Sequence, residues 1–239
     1  MQTLQVTLWL YAAALSRAGQ CLSKNWVVSL APLAYGIILT VVGTIVAPLG
    51  FIGGMLYSLA SQACASSALF LIKNLLDSGR ANVNDFLSGF TVYIWELITI
   101  GFILWIPMRV VAVGFASAAN GALLYLLFKL AVYIILNAAP ELIYQSRTTG
   151  LELIGASYQF IVDNWIEWLV PNLIFGVAGF YLFDVFESYL LALPVILQLF
   201  LYAFVLGAAL TYFMTFRGFL FAELQGTTRR SRLYRYNTR

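Results

Sequence analysis

At 239 residues, 62% hydrophobic and 10% charged, the chain carries too few charges to wrap its apolar side chains in water, which excludes an ordinary soluble domain. What remains is an all-α polytopic transmembrane helical bundle of about six spans, with amphipathic helices at its cytoplasmic face. The net charge of +3 hides an uneven distribution, because five arginines (Arg229, Arg230, Arg232, Arg235 and Arg239) fall in the last eleven residues. Histidine is absent, which removes imidazole metal and haem ligation and any histidine general base. Cys21 and Cys64 form no CxxC and read as two separate small core residues. No cofactor is expected.

Residues 3–24 read as an amphipathic helix in which Leu4, Leu8, Tyr11, Leu15, Ala18 and Leu22 recur three and four apart. Weakly charged, the helix is expected in the membrane interface or beneath the bundle rather than across the bilayer. No Lys or Arg precedes Arg17 and no small-residue cleavage site follows a compact apolar core, so no secretory signal is expected. Asn25 and Trp26 then mark a membrane boundary, where an amphipathic ring sits half wet. Residues 26–46 are long enough for a first span, Ala47-Pro48-Leu49-Gly50 makes a turn, and residues 51–76 return. Gly50-x-x-Gly53 and Gly54-x-x-x-Ser58 allow close helix approach, within this hairpin in preference to a dimer seam.

Lys73, Asp77, Arg80 and Asp85 punctuate a polar loop before a third span over residues 86–113. A fourth, over 122–143, breaks late at Asn137-Ala-Ala-Pro140-Glu141. Residues 145–163 repeat the amphipathic pattern, with Leu153, Ile154, Ser157, Phe160 and Ile161 on one side and Glu152, Gln159 and Asp163 on another. A second boundary follows at Asn164, with Trp165 and Trp168 as further interface anchors beside Trp26. Residues 165–182 and 190–222 complete the set, the last long enough to tilt or to run past the bilayer. Arg17, Lys24, Lys73, Arg80, Arg147, Arg217 and the tail fall on one side, against Arg109, Asp184 and Glu187 on the other. The positive-inside rule puts both termini in the cytoplasm of an inner-membrane protein.

Glu96, Arg109 and Lys129 lie within spans, where ionisable groups are costly and functional by default. Counting along the helices puts Glu96 roughly 15 Å from the cytoplasmic end and Lys129 roughly 10 Å from the outer end, within mutual reach near mid-membrane. A buried ion pair fixing helix register, with Arg109 snorkelling outward, is favoured over an ion relay, which usually needs a second acid. Other chemistry is thin. Gly50-Phe-Ile-Gly53-Gly54 lacks the strand and the Lys-Ser/Thr of a phosphate loop, and there is no GxSxG, zinc motif or spaced carboxylate pair. Glu167 stands at a helix start, where the dipole accounts for it as well as catalysis does. In the tail, Arg229, Arg230, Arg232 and Arg235 are candidate lipid-headgroup contacts, each worth about 1 kcal/mol, and no nucleic-acid partner is expected despite the interleaved Tyr234 and Tyr236.

Asn25, Trp26, Leu30 and Pro32 recur as Asn164, Trp165, Leu169 and Pro171, an offset of about 139 residues. The repeat covers residues 11–83 and 150–222 of a single transmembrane domain, 1–223, which is followed by the basic tail, 224–239. An interfacial helix ending in Asn-Trp, followed by a helical hairpin and recurring in the chain, resembles the YciC-like bacterial membrane proteins and the membrane portion of some glycerophosphodiester phosphodiesterases. The resemblance implies helical hairpins with cytoplasm-side amphipathic helices and carries over no catalytic residue, since the phosphodiesterase activity belongs to a separate soluble domain. The expected function is therefore non-enzymatic: an accessory or scaffolding subunit, touching membrane lipids and other subunits or itself. The alternative is a small transporter or lipid-handling permease built on the Glu96/Lys129 region and the break before Pro140, since interrupted helices often line binding sites.

Overall fold

The computed structural model describes residues 2–190 and 193–237, and among these there is helix and no strand. Five stretches are long and apolar enough to cross a membrane: Trp26–Ser78, Ile94–Ala116, Gly121–Ser146, Gly150–Leu190 and Val195–Leu224. The first is folded double. Helix α2 (Ala31–Val46) ends at a turn through Pro48, where Gly50 takes φ 57°, and α3 (Gly50–Ser78) runs back along it. Gly43 faces Tyr57, and the Tyr35 hydroxyl donates to Ser67 Oγ at 2.9 Å, so the two arms are antiparallel. A Cβ on Gly53 would stand 2.0 Å from the Val46 carbonyl oxygen, which is why the close spacing needs glycine there.

Helix α1 (Gln2–Lys24) crosses α9 (Val195–Leu224), with Tyr212 against Gly19 at one end of the crossing and Glu223 paired with Arg17 at the other. Its buried face is Val6, Leu10, Ala14 and Ala18, whereas Leu8, expected on the packed stripe, is 56% exposed. Small Ala14 and Ala18 let two helices approach closely, and the bulkier leucine is left outward. The tail folds as α10 (Arg229–Asn237) and returns to α1, placing Tyr236 edge-on to Trp9 at 6.0 Å.

The third span begins later than the sequence suggested. Residues 83–91 form α4 (Val83–Ser88) and a tight turn, and α5 runs Ile94–Ala116. A capping box starts α4, the Asn82 N–H donating to Asp85 Oδ2 at 2.8 Å. Ser66 Oγ donates to the Gly89 carbonyl at 2.6 Å and accepts the Tyr93 N–H at 2.8 Å, so a buried hydroxyl on α3 fixes where α5 starts. Helix α6 (Gly121–Ile135) pairs with α5 and stops at Leu136. The break continues through α7 (Ala139–Glu141) and one wide π turn, Leu142–Ser146. Arg147, at φ 52°, and Gly150, at φ 63°, redirect the chain into α8 (Gly150–Leu190), which bends sharply at Asn164. Edge-to-face contacts of Trp168 with Phe221 and of Phe183 with Tyr202 show that α8 runs antiparallel to α9. The turns near Leu49, Ala118 and Pro194 define a tight-turn end of the bundle. Lys24, Gly79, Asn164 and Leu224 lie at the opposite, broad end.

Candidate functional site

The three charges singled out within spans do not converge. Because α5 starts at Ile94, Glu96 occupies its first turn, half-buried, where a carboxylate suits the positive helix end. Across the α5/α6 turn, Lys129 is offset from Glu96 by about twelve residues of rise, roughly 18 Å. Among the described residues no ion pair joins them. Arg109 and Lys129 instead lie at nearly the same depth on neighbouring helices, and both are exposed. Each packs on an aromatic ring of its own helix, Lys129 Nζ 4.6 Å from the Tyr125 ring and Arg109 Cζ 5.9 Å from the Trp105 ring. Helical side chains lean toward the N-terminus. That lean carries Lys129 toward the tight-turn end, but it folds Arg109 inward, toward the middle of α5.

The buried polar centre is one the sequence reading missed. Glu141, fully buried in the break after α6, receives the Arg217 guanidinium in a two-pronged ion pair, Nε to Oε1 at 2.9 Å and Nη2 to Oε2 at 2.8 Å. Arg217 also donates to the Asn137 carbonyl and lies over the Trp168 ring at 5.0 Å. Trp168 Nε1 donates to Asn137 Oδ1 at 2.9 Å, and Asn172 donates to the same oxygen at 3.3 Å. Leucines and phenylalanines pack around it, so the cluster is a buried core element. Its geometry follows from the break: the Asn137 and Ala139 N–H groups bond three residues back instead of four, which leaves the Asn137 carbonyl for Arg217 and turns Glu141 inward.

At the two asparagine boundaries the structure repeats itself. Asn25 has φ −127°, ψ 38° and Asn164 has φ −130°, ψ 21°, each ending one helix and starting the next. Both side-chain amides donate four residues back, to Cys21 O at 2.9 Å and to Phe160 O at 3.2 Å. The six positions from each asparagine follow one order: buried, exposed, exposed, buried, buried, half-buried. Beside each lies a groove at the broad end, of about 850 Å³ at Asn25 and about 990 Å³ at Asn164. The second receives α10, with Arg232 Nη1 donating to Asn164 Oδ1 at 3.2 Å and Nη2 lying 3.9 Å from Glu167. Tyr11 reaches over from α1 to donate to the Glu167 carbonyl at 3.0 Å, and burial, with the Glu167 carboxylate adding, pushes its hydroxyl up to about 12.

Two expected surface residues are therefore interior. Arg232, expected at lipid headgroups, is 4% exposed, and Trp168, expected as an interface anchor, is fully buried on Phe160 and Phe221. The bend at Asn164 turns the Trp168 face inward, and α10 folds back onto the Asn164 groove and carries Arg232 in. Trp26 and Trp165 are 56% and 54% exposed. Arg230 is exposed at the second groove, Arg235 reaches Glu223 at 3.4 Å, and the Arg229 side chain lies outside the described residues, as does Arg239. No group of three metal-ligating side chains occurs among the described residues. No family model matches the chain, and neither a curated protein nor a solved structure matches it.

Proposed function

We propose that this chain is a non-enzymatic, multi-pass protein of an inner membrane, crossing it about six times with both termini in the cytoplasm, and that it serves as an accessory or scaffolding subunit of a larger membrane assembly. The observation that carries this reading is the outward cation pair on α5 and α6. The Arg109 guanidinium lies beside Trp105, roughly 16 Å from the tight-turn end of a helix roughly 35 Å long. A charge presented to hydrocarbon at a helix centre costs about 2.5–3.5 kcal/mol on insertion scales. A partner helix bearing an Asp or Glu at that depth removes the cost and converts it into a contact specific for one register. A permease built on Glu96 and Lys129 draws no support from their separation, and the buried Glu141–Arg217 pair is saturated by its own neighbours.

The test is purification from native membranes in mild detergent, with sizing and mass spectrometry, for the wild type and for the double variant Arg109→Leu, Lys129→Leu. A subunit arrives with another membrane protein at fixed stoichiometry, and the variant, still folded, arrives without it. A wild type that arrives alone or only with copies of itself overturns the reading.

A further inference from the structure

The groove beside Asn25 is basic in a way that its counterpart is not. Arg17 and Lys24 enter from α1, Arg80 from the loop after α3, and Gln20, Ser78 and Asn82 complete a polar rim. Among the described residues no carboxylate lines it. Lys24 and Arg80 take part in no ion pair among the described residues, and Arg17 is half exposed, holding Glu223 at 3.4 Å while Glu223 also holds Arg235. Helix C-termini alone do not account for three cations. The ends of α1 and α3 each present about half a negative charge, and Glu223 is shared between Arg17 and Arg235, which leaves a surplus of about one and a half positive charges. The buried floor is already satisfied, since Asn25 donates to Cys21 O and Gly79 O and accepts from the Ala81 N–H. The unspent capacity therefore sits at the rim, one residue from exposed Trp26, where a ring of that kind marks headgroup depth.

We infer that this groove binds a phosphate-bearing anion, the headgroup of an anionic phospholipid, between Arg17, Lys24 and Arg80. The inference rests on the membrane reading of the fold but not on the partner assigned to α5 and α6. A lipid held there adds to the Asn25 and Cys21 hydrogen bonds that join the end of α1 to the end of α3.

The experiment is native mass spectrometry of the full chain released from detergent with added phosphatidylglycerol or phosphatidylcholine. Wild type retains phosphatidylglycerol preferentially. Lys24→Gln with Arg80→Gln lowers its apparent affinity roughly thirtyfold, on the scale of two basic headgroup contacts, and leaves phosphatidylcholine unchanged. Lys24→Arg with Arg80→Lys keeps the charge and retains the lipid, with thermal unfolding reporting that both variants fold. An equal loss from Lys73→Gln with Arg230→Gln, which removes the same charge elsewhere on the broad end, reduces the effect to net charge and overturns the site. Displacement of the lipid by millimolar inorganic phosphate assigns the groove to a soluble phosphate compound and overturns the headgroup. Retention of phosphatidylglycerol by wild type with no change in the groove variant overturns both.

Discussion

At Asn25 the carboxamide is taken up by neutral backbone groups of the loop after α3, and the groove beside it is left with three cations on its rim. At Asn164 the equivalent oxygen receives a guanidinium from α10, and the groove there holds Asp163 with Arg230 and Arg232 above the buried Glu167. Backbone angles, burial order and groove size agree between the two, so the same local sequence logic produces the same bend. What differs is who neutralises it. In the second half the chain brings its own opposite charges to the site, and in the first half it leaves cations on a groove rim lined, among the described residues, by no carboxylate. The contrast extends to the helices that follow. Ser66 and Ser67 on α3 bind backbone and a tyrosine, whereas α9 carries Arg217 into an ion pair.

The largest expected effect tests whether the second half depends on its charges. Arg217→Met leaves Glu141 buried and unpaired, and the expected loss is about 3–5 kcal/mol in detergent unfolding. Adding Glu141→Leu to it should recover most of that loss, because an apolar pair of similar volume needs no solvation. If Arg217→Met is silent, the charged core contributes nothing and the two halves are held by apolar packing alike.

Asn25→Ala removes three hydrogen bonds and Asn164→Ala removes two, one of them to a guanidinium. At about 0.5–1.5 kcal/mol for each neutral bond and about 1.5–3 for the charged one, both variants should lose roughly 2–4 kcal/mol, and by similar amounts. Thermal unfolding of the two in the same detergent decides it. A large loss at one and none at the other would mean that only one bend depends on its asparagine, and the correspondence would be one of shape alone.

The bends, the hairpin turns and the break before Pro140 were legible because each is marked by residues with one local use: asparagine at a helix end, proline and glycine in a turn. The Glu141–Arg217 pair was not. Arg217 sits a few residues before the end of an apolar run and reads as a topology marker, while Glu141 reads only as part of the late break in the fourth span. Their meeting depends on packing across 76 positions of sequence. The start of α5 was misread for a related reason. Phe86, Phe90 and Val92 are apolar enough to belong to a span, and only the Asn82/Asp85 capping box and Gly89, whose Cβ would lie 2.9 Å from Ser67 Cα, say otherwise. That misreading placed Glu96 about two turns further into its helix than the first turn it occupies. Arg232 belongs to the same class as Arg217, a basic residue in a basic tail that becomes interior only because α10 folds back onto the Asn164 groove.

The smallest effect is the most discriminating. Asp163 stands where Lys24 stands in the first half, at the last helical position before the asparagine. Asp163→Lys changes the second groove by two charges without touching Arg232, Glu167 or the bend, and the side chain is exposed, so folding should be unaffected. If charge balance is what separates the two grooves, this variant should retain one more phosphatidylglycerol than wild type, with an affinity gain of roughly tenfold or somewhat more for a two-charge change at headgroup depth. If the lipid count does not change, α10 fills the second groove sterically, and the difference between the halves lies in the covering helix rather than in its charges. Shortening the chain before Arg229 separates these outcomes, since a groove blocked by α10 should open to lipid once the helix is gone, and a groove governed by Asp163 should not.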